Sequence, residues 1–341
     1  MAWSRVLTFT DPLPCQAAFP YSYIEVLPTT KEFRIEMIQV AMSRLWLQHT
    51  RLSSPTVSTA TSKPGRLSIG FLSESNLSLY HHCGIEVTPG DIIVNTLEAE
   101  HRRCDPGLDY GSMSIPTDEF DNAVEAIIGC ELMEDSERRI FHPHPQLMSR
   151  LLKLHRAIGQ LAHDTPDIFQ LPEVLRALEN ELVHVMVRWL ADAVDAKTST
   201  HGRRHDAIIA RFEEFLEANP DRPLYLAEIC AAIGVAERTL RACCEEHLGM
   251  GPIRFLTLRR MHLVRHSLLR ADPSKSTVTR IVTDQGFWEL GRFSVAYRAL
   301  FGESPSETLQ RPSEQFEVHP GRPLLISAKD FTKGDAICCD A

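Results

Sequence analysis

Residues 278–301 read Val278-Thr-Arg-Ile-Val-Thr-Asp-Gln-Gly-Phe-Trp-Glu-Leu-Gly-Arg-Phe-Ser-Val-Ala-Tyr-Arg-Ala-Leu-Phe301. Apolar side chains recur at helical spacing on both sides of Gly286, which stands where two helices would meet in a sharp turn. The spacing predicts a helix, a tight turn and a second helix. The apolar set is Ile281, Phe287, Phe293, Tyr297 and Phe301, and the polar candidates on the second helix are Glu289, Arg292, Ser294 and Arg298.

A second stretch upstream follows the same logic. It reads Leu226-Ala-Glu-Ile-Cys-Ala-Ala-Ile-Gly-Val-Ala-Glu-Arg-Thr-Leu-Arg-Ala-Cys-Cys244, with Gly234 at the predicted turn. The second helix is expected to begin near Ala236. A recognition helix needs long hydrogen-bonding side chains near its first turns, because that end enters the major groove of DNA. The candidates on this helix are Arg238, Thr239 and Arg241.

A long helical pattern, Pro252 to Arg270, separates the two units. Two reading heads on one stiff connector would face successive major grooves about 34 Å apart. The connector's arginines are expected to be phosphate contacts or solvated charges, and the pattern does not separate the two. Phe287 and Phe293 are predicted to be core residues rather than DNA wedges. Trp288 is left open, either exposed beside DNA or packed on the surface. The connector arginines, whose role the pattern leaves open, are Arg259, Arg260, Arg265 and Arg270.

Residues 204–311 resemble the DNA-binding domain of the AraC/XylS transcription regulators. The resemblance rests on Leu226-Ala, on Gly249-Met-Gly-Pro-Ile-Arg-Phe255 with Leu258-Arg-Arg-Met261, and above all on the pattern from Gly286 to Ser306. It implies a seven-helix, two-unit domain that binds operator DNA as a transcriptional activator or repressor.

The resemblance also assigns positions. Arg238 and Arg241 match groove-reading positions of the first unit, and Glu289 and Arg292 match those of the second. Four residues depart from the family pattern and put the strength and register of the first unit's contacts in doubt. They are Ala236 at the usual serine N-cap, Ala242 at a basic position, Cys244 at a phenylalanine position and Val295 at a polar position.

Charge is distributed unevenly along the chain. The formal net charge is −9 at pH 7, which at first argues against a nucleic-acid partner. Residues 203–312 are nevertheless the only net-basic part, and nearly all of their cations are arginine. Arginine forks match phosphates and guanine edges. Charge alone is not enough to assign DNA binding to this segment, so the assignment rests on the helix-turn-helix motifs.

The N-terminal part, up to about residue 142, is predicted to be mostly β. Short alternating runs at this spacing favour a sandwich or half-barrel, and the order of elements is similar to family effector domains that resemble half of a cupin barrel. The Ser/Thr-rich stretch Ser53–Ser62 is predicted to be a loop. The predicted strands are Phe33–Val40, Leu45–Gln48, Arg66–Leu72, two strands within Gly84–Val94, and Tyr110–Ile115.

Two amphipathic helices are predicted next, one around Leu147–Leu161 and one around Val174–Trp189. Their apolar stripes either form a dimer surface or cover the β-rich part, and the sequence does not choose. The fold class is therefore a two-domain α+β protein with an all-α C-terminal domain. The predicted division is a sensing and dimerisation domain at 1–196, a linker at 197–203, the DNA-binding domain at 204–311 and an extension at 312–341.

A metal site in the N-terminal domain, with His81, His82, Glu86 and His101 as ligands, is the more specific hypothesis for these residues. The alternative is that they are surface or core side chains. Adjacent strand residues point to opposite faces, and the spacing departs from the cupin metal motif. The sequence therefore predicts no metal, no cofactor and no catalytic residue. It carries no phosphate loop, nucleophile elbow or HExxH, so an enzyme in the N-terminal domain remains only the alternative to a regulator.

The expected partners are double-stranded DNA, an unknown small-molecule effector, a second copy of the chain, and RNA polymerase if the protein is an activator. The N-terminus lacks a secretory signal, and the most apolar stretch, Leu182–Val194, is interrupted by charges. The scattered cysteines fit neither a disulfide framework nor a zinc pattern. These features predict a cytoplasmic protein with reduced thiols and no membrane partner.

Overall fold

The computed structural model describes residues 2–73, 78–128, 140–193, 203–219 and 224–311. The strands are β1 (Trp3–Phe9), β2 (Ser22–Pro28), β3 (Ile35–Ala41), β4 (Trp46–Leu52), β5 (Thr56–Ser62), β6 (Arg66–Leu72), β7 (Tyr80–His82), β8 (Ile85–Val87), β9 (Ile92–Asn95), β10 (Glu100–Cys104), β11 (Leu108–Pro116) and β12 (Ile140–Phe141). The helices of the N-terminal region are α1 (Pro12–Gln16), α2 (Thr117–Ile128), α3 (Pro145–Asp164) and α4 (Pro172–Ala193). The helices of the C-terminal domain are α5 (Arg203–Glu217), α6 (Leu226–Ile233), α7 (Glu237–Leu248), α8 (Pro252–Arg270), α9 (Val278–Asp284), α10 (Leu290–Phe301) and α11 (Pro305–Leu309). This architecture confirms the predicted α+β fold class.

Two antiparallel sheets pack face to face in the N-terminal region. The strand order is β1-β3-β4-β11-β6-β9-β12 in the larger sheet and β2-β5-β10-β7-β8 in the smaller. One apolar cluster joins the facing sides of the two sheets. It includes Met37, Leu72 and Tyr110 from the larger sheet and Val26 and Val87 from the smaller, all of them buried. The space between the sheets is therefore filled by side chains.

The prediction that Ser53–Ser62 forms a loop is wrong for most of this stretch. Thr56–Ser62 forms β5, which lies between β2 and β10 inside the five-stranded sheet. Val57 and Ala60 are only 3% and 2% exposed. Threonine and valine favour strands, but a composition rich in hydroxyls also fits a loop, and only the two neighbouring strands decide between them.

The other predicted strands exist, most of them with shifted ends. Arg66–Leu72 is matched residue for residue by β6. The two strands around Asp91 are β8 and β9, but β8 pairs with β7 and β9 pairs with β6, so they belong to different sheets. The carboxylate of Asp91 accepts from the backbone N–H of Thr88 at 2.8 Å and fixes the turn between the sheets. Sequence patterns also missed β1, β2, β7, β10 and β12, and α2 lies within the part predicted to be mostly β.

Helices α3 and α4 confirm the two predicted amphipathic helices. Their apolar stripes pack against the seven-stranded sheet, where Leu151, Ile158, Leu182 and Trp189 are at most 1% exposed. The structure thus places these stripes as a cover for the β-rich region. Side chains buried within their own chain are not available as a dimer surface.

The seven helices of the described C-terminal domain pack around two apolar clusters. The first holds α5, α6 and α7, and the second holds α9, α10 and α11. Helix α8 belongs to both, with Phe255 and Leu256 in the first cluster and Val264 and Leu268 in the second. The predicted connector is therefore a structural part of each unit.

Residues 197–202 and 312–341, which carry the predicted linker and extension, lie outside the described residues. No helix in the described part of the chain combines the length and apolar character needed to cross a membrane.

Candidate nucleic-acid interface

The first helix-turn-helix unit is formed by α6 and α7. Gly234 ends α6 with φ 66°, a left-handed conformation that glycine adopts without strain. Ile229, Ile233 and Leu240 are buried between the two helices. The unit therefore has the turn and the small core that the sequence predicted.

Helix α7 begins without a side-chain cap. Its N-cap is Ala236, whose backbone is extended but whose side chain offers no acceptor. Helix α9 of the second unit is capped, because Thr277 accepts from the backbone N–H of Arg280. Helix α10 of the second unit, whose N-cap is Glu289, also begins without a side-chain cap, so the second helices of the two units are alike in this respect.

We expect Ala236→Ser to raise the free energy of unfolding by about 0.5–2 kcal/mol, because a serine hydroxyl can accept from an N–H of the first turn of α7. Thr277→Ala, which removes an existing cap, should lower it by a similar amount. Urea denaturation of the full chain measures both. Equal midpoints for the wild type and Ala236→Ser would contradict the prediction.

The outer face of α7 is polar and exposed. Arg238 and Arg241 are exposed, whereas Thr239 is half-buried beside the unit's core. Arg241 donates to Glu237 one turn earlier at 3.0 Å, and both side chains are about half exposed. Such a pair is weak in water, so Arg241 can exchange its partner.

The second unit is formed by α9 and α10. Gly286 adopts φ 76° at the turn. A ladder of aromatic rings holds the unit, with ring centres 4.9 Å apart for Phe287 and Phe293 and 4.6 Å apart for Tyr297 and Phe301. Phe293 is buried and Phe287 half-buried against the ladder. The prediction that both are core residues rather than DNA wedges is confirmed.

The outer face of α10 carries the four predicted polar candidates of this unit. Glu289 is the N-cap residue, and its carboxylate lies 2.8 Å from Nη1 of Arg292, whose side chain is 87% exposed. Ser294 is exposed, and Arg298 lies 3.4 Å from Glu307. Trp288 is 74% exposed, so of its two open alternatives the structure shows the exposed one. Both units thus present arginines to solvent.

For two arginines of α8, the prediction that they are phosphate contacts or solvated charges is wrong. Arg259 and Arg265 are only 4% and 9% exposed, so they are neither solvated charges nor free to bind phosphate in this arrangement. Arg265 is paired with Asp11 of the N-terminal region and lies 3.5 Å from Glu303. The reason is that α8 lies against the N-terminal region, while Arg270 at its end stays exposed.

The C-terminal domain docks on the outer side of the five-stranded sheet. Leu27 and Val57 point away from the inter-sheet core and join the cluster of α5 to α8. Glu213 of α5 accepts from the Thr59 hydroxyl at 2.9 Å and lies 2.9 Å from Nε2 of His101. His262 of α8 contacts the carbonyl of Pro28 at 3.3 Å. No local sequence pattern predicts this interface, because its partners are far apart in the chain.

Buried and half-buried charged side chains face one another where the two domains meet. Burial raises the pKa of Glu25 to about 7; Arg259 opposes that rise and Glu213 adds to it. Burial and then Glu213 raise the pKa of Glu217 to about 7. Burial also lowers the pKa of Arg259, although these glutamates favour its charged form. One arginine thus serves three carboxylates that cannot all ionise without cost.

We expect Glu25→Gln to stabilise the chain relative to wild type increasingly as pH rises from 5 to 8, by about 2–3 kcal/mol in total. The pKa of Glu25 is raised to about 7, so the folded state loses stability as pH rises from about 4.5 through 7, and glutamine does not titrate. Urea denaturation at pH 5 and pH 8 measures the difference. Glu125→Gln, on the exposed side of α2, is the control. A pH-independent difference would contradict the assignment.

The alternative metal ligands do not converge. His82 is buried within the N-terminal region, with Nε2 3.8 Å from Glu100. His101 faces Glu213, and His81 contacts Arg103 at 3.0 Å. Within the described residues no group of histidine, cysteine or carboxylate side chains is arranged to hold a metal ion.

A cavity of about 280 Å³ lies at the junction of the two domains. His81 and Arg103 line it from the sheet, and Met250 and Arg254 line it from the turn between α7 and α8 and from α8 itself. The C-terminal end of α7 therefore borders a space that the N-terminal region also lines.

Known proteins match the C-terminal domain. The model of a helix-turn-helix domain family matches residues 229–311. The "Probable thc operon regulatory protein" of Rhodococcus erythropolis is 41% identical over 103 residues, which are 30% of this chain and 31% of that protein. The "XylDLEGF operon transcriptional activator 2" of Pseudomonas putida is 33% identical over 99 residues, 29% of this chain and 63% of its own length. The chain thus matches about a third and somewhat under two thirds of these two relatives.

Among solved structures, the AraC-like transcriptional activator CuxR aligns with 77% of this chain and 94% of its own, at 14% sequence identity and a TM-score of 0.39. The fold, the two left-handed glycine turns and the matched residues define a double helix-turn-helix domain of the DNA-binding class. More narrowly, the C-terminal domain of this chain is similar to those of XylDLEGF operon activators and AraC-like regulators.

Proposed function

We propose that this chain is a sequence-specific transcription regulator that binds double-stranded DNA with both helix-turn-helix units. The observation that supports it best is the pair of exposed arginine faces, Arg238 and Arg241 on α7 and Arg292 and Arg298 on α10. Arginine forks fit phosphates and guanine edges. The glutamates beside these arginines are exposed, so DNA can displace them at little cost.

The proposed DNA contacts are Arg238, Thr239 and Arg241 in the first unit and Glu289, Arg292, Ser294 and Arg298 in the second. Thr239 is the half-buried member of this set, and it lies next to the turn that would enter the groove. Its role is therefore to fix the position of α7 through a backbone or phosphate contact, whereas the arginines read bases.

The N-terminal region is proposed to sense a small-molecule effector. The junction cavity supports this role, because Arg103 and Arg254 line it from the two domains and a ligand there would touch both. Such a ligand would favour one docking geometry over another and so change the affinity for DNA. The proposal also includes a homodimer, a cytoplasmic location, and RNA polymerase as partner if the protein activates transcription.

A selection from random duplex DNA with the full chain tests the central claim. A regulator enriches a defined sequence and loses affinity steeply as salt is raised, because phosphate contacts release counterions. Failure of the folded protein to enrich any sequence contradicts the proposed function.

Effector control needs its own experiment. Thermal unfolding of the full chain with and without metabolite mixtures separates a sensor from the enzyme alternative. Stabilisation without turnover supports a sensor, and product formation supports an enzyme. Effector-dependent transcription that persists after removal of residues 1–200 would contradict control by the N-terminal region.

A further inference from the structure

The centre of the outer face of α10 is apolar. Val295 is 73% exposed, although α10 buries Phe293 and Tyr297 on its opposite side. At 3.6 residues per turn, Val295 lies almost diametrically across the helix from those two rings. Arg292 and Arg298, three residues before and after it, flank it on the same face.

The neighbours of Val295 along this face are small. Gly291 precedes it by four residues and Ala299 follows it by four, and both are exposed. A Cβ built at Gly291 would meet no atom within 4 Å, so the space above that position is open. Without long side chains in this line, the helix can lie deep in a groove about 12 Å wide, and the valine methyls reach the base edges.

The first unit has an apolar side chain at the corresponding place. Leu240 and Cys244 of α7 occupy the positions of Phe293 and Tyr297 of α10, all of them buried. The residue equivalent to Val295 is then Ala242, which is exposed. Each reading face thus has an apolar centre between polar flanks.

An apolar side chain in the major groove can distinguish one base from the others. Among the four bases only thymine presents a methyl group there, and apolar side chains contact it. A protein partner is the weaker explanation, because Val295 stands alone between Arg292 and Arg298, and a stable protein interface has an apolar core larger than one side chain.

We propose that Val295 reads the 5-methyl group of a thymine in the half-site bound by the second unit. This inference rests on the proposed function of DNA binding. Arg292 and Arg298 hold the neighbouring phosphates or purines, and the valine methyls exclude water from the thymine methyl between them. With valine rather than a polar side chain at position 295, the second unit therefore prefers thymine at one base pair.

Deoxyuridine substitution tests the proposal. The full chain is used to select its binding sequence, and each thymine of that sequence is replaced in turn by deoxyuridine, which lacks only the methyl group. We expect one replacement in the second half-site to weaken wild-type binding about 4-fold, the effect of one buried methyl-sized group. Val295→Ser should bind the thymine and uracil forms equally.

Two further variants sharpen the result. Val295→Thr keeps one methyl branch and should keep the discrimination between thymine and uracil. Val6→Ser changes a valine of the N-terminal region that is 52% exposed, and it should leave discrimination unchanged. Thermal unfolding verifies that all variants are folded.

The outcomes separate this inference from the one on which it depends. If no sequence is enriched, the proposed function fails. If a sequence is enriched but no thymine methyl matters, or if Val295→Ser discriminates as wild type does, DNA binding stands and the reading by Val295 is overturned.

Discussion

Replacing Arg292 with alanine is expected to weaken binding to the selected operator by about 1–3 kcal/mol, which is about 5- to 150-fold, and to relax base preference at one position. The side chain is 87% exposed and its ion-pair partner Glu289 is exposed as well, so the change removes a potential DNA contact and little else. Arg238→Ala is expected to act in the same way at the first unit.

Gel shifts at constant salt measure these effects on the operator and on single-base variants of it. Arg176→Ala is the matched control, since Arg176 lies on α4 and is 71% exposed. Its affinity should equal that of wild type. If both Arg292→Ala and Arg238→Ala retain wild-type affinity and specificity, the assignment of the reading faces is wrong.

Introducing aspartate at Leu27 should release the C-terminal domain from the five-stranded sheet. Leu27 is 3% exposed and packs with the first cluster of the C-terminal domain. A carboxylate there would be desolvated among the apolar side chains of that cluster, and an uncompensated buried charge costs about 3–5 kcal/mol. Separation of the domains relieves that cost, and small-angle scattering should show a larger radius of gyration.

Two controls accompany this variant. Leu97→Asp places the same charge at a leucine that is 54% exposed, and it should leave scattering unchanged. Circular dichroism of Leu27→Asp should retain the helix and strand signal, which shows that the sheet itself is folded. Unchanged scattering of a folded Leu27→Asp would mean that the interface does not hold the domains together.

The two helix-turn-helix units could be predicted because the sequence patterns that define them are local. Gly234 and Gly286 mark the turns, and the apolar side chains that close each unit lie within a few helical turns of them. Helical periodicity records burial within one element, so the candidates on α7 and α10 follow from the sequence alone. Apart from the half-buried Thr239 these candidates are exposed in the structure, and their contact with DNA stays a prediction.

The interface between the domains was not predictable in the same way. Arg259 and Arg265 look like solvated charges in a helical pattern, because arginine is rarely buried without a partner. Their partners are Asp11, Glu25 and Glu213, which only the folded chain brings to α8. Strand β5 was missed for a related reason, since its pairing with β2 and β10 joins segments distant in sequence.

Under the proposed function, the sharing of α8 between the two apolar clusters limits which operators the protein can accept. Its 19 residues form one continuous rod, about 28 Å long at 1.5 Å per residue, so neither head can rotate about the DNA axis independently of the other. One base pair inserted between the half-sites turns the second by about 36°, since a duplex has 10–10.5 base pairs per turn. If both units bind one operator as proposed, its half-sites must keep a fixed helical phase, and a shift of the N-terminal sheet against α8 would reorient the two units together.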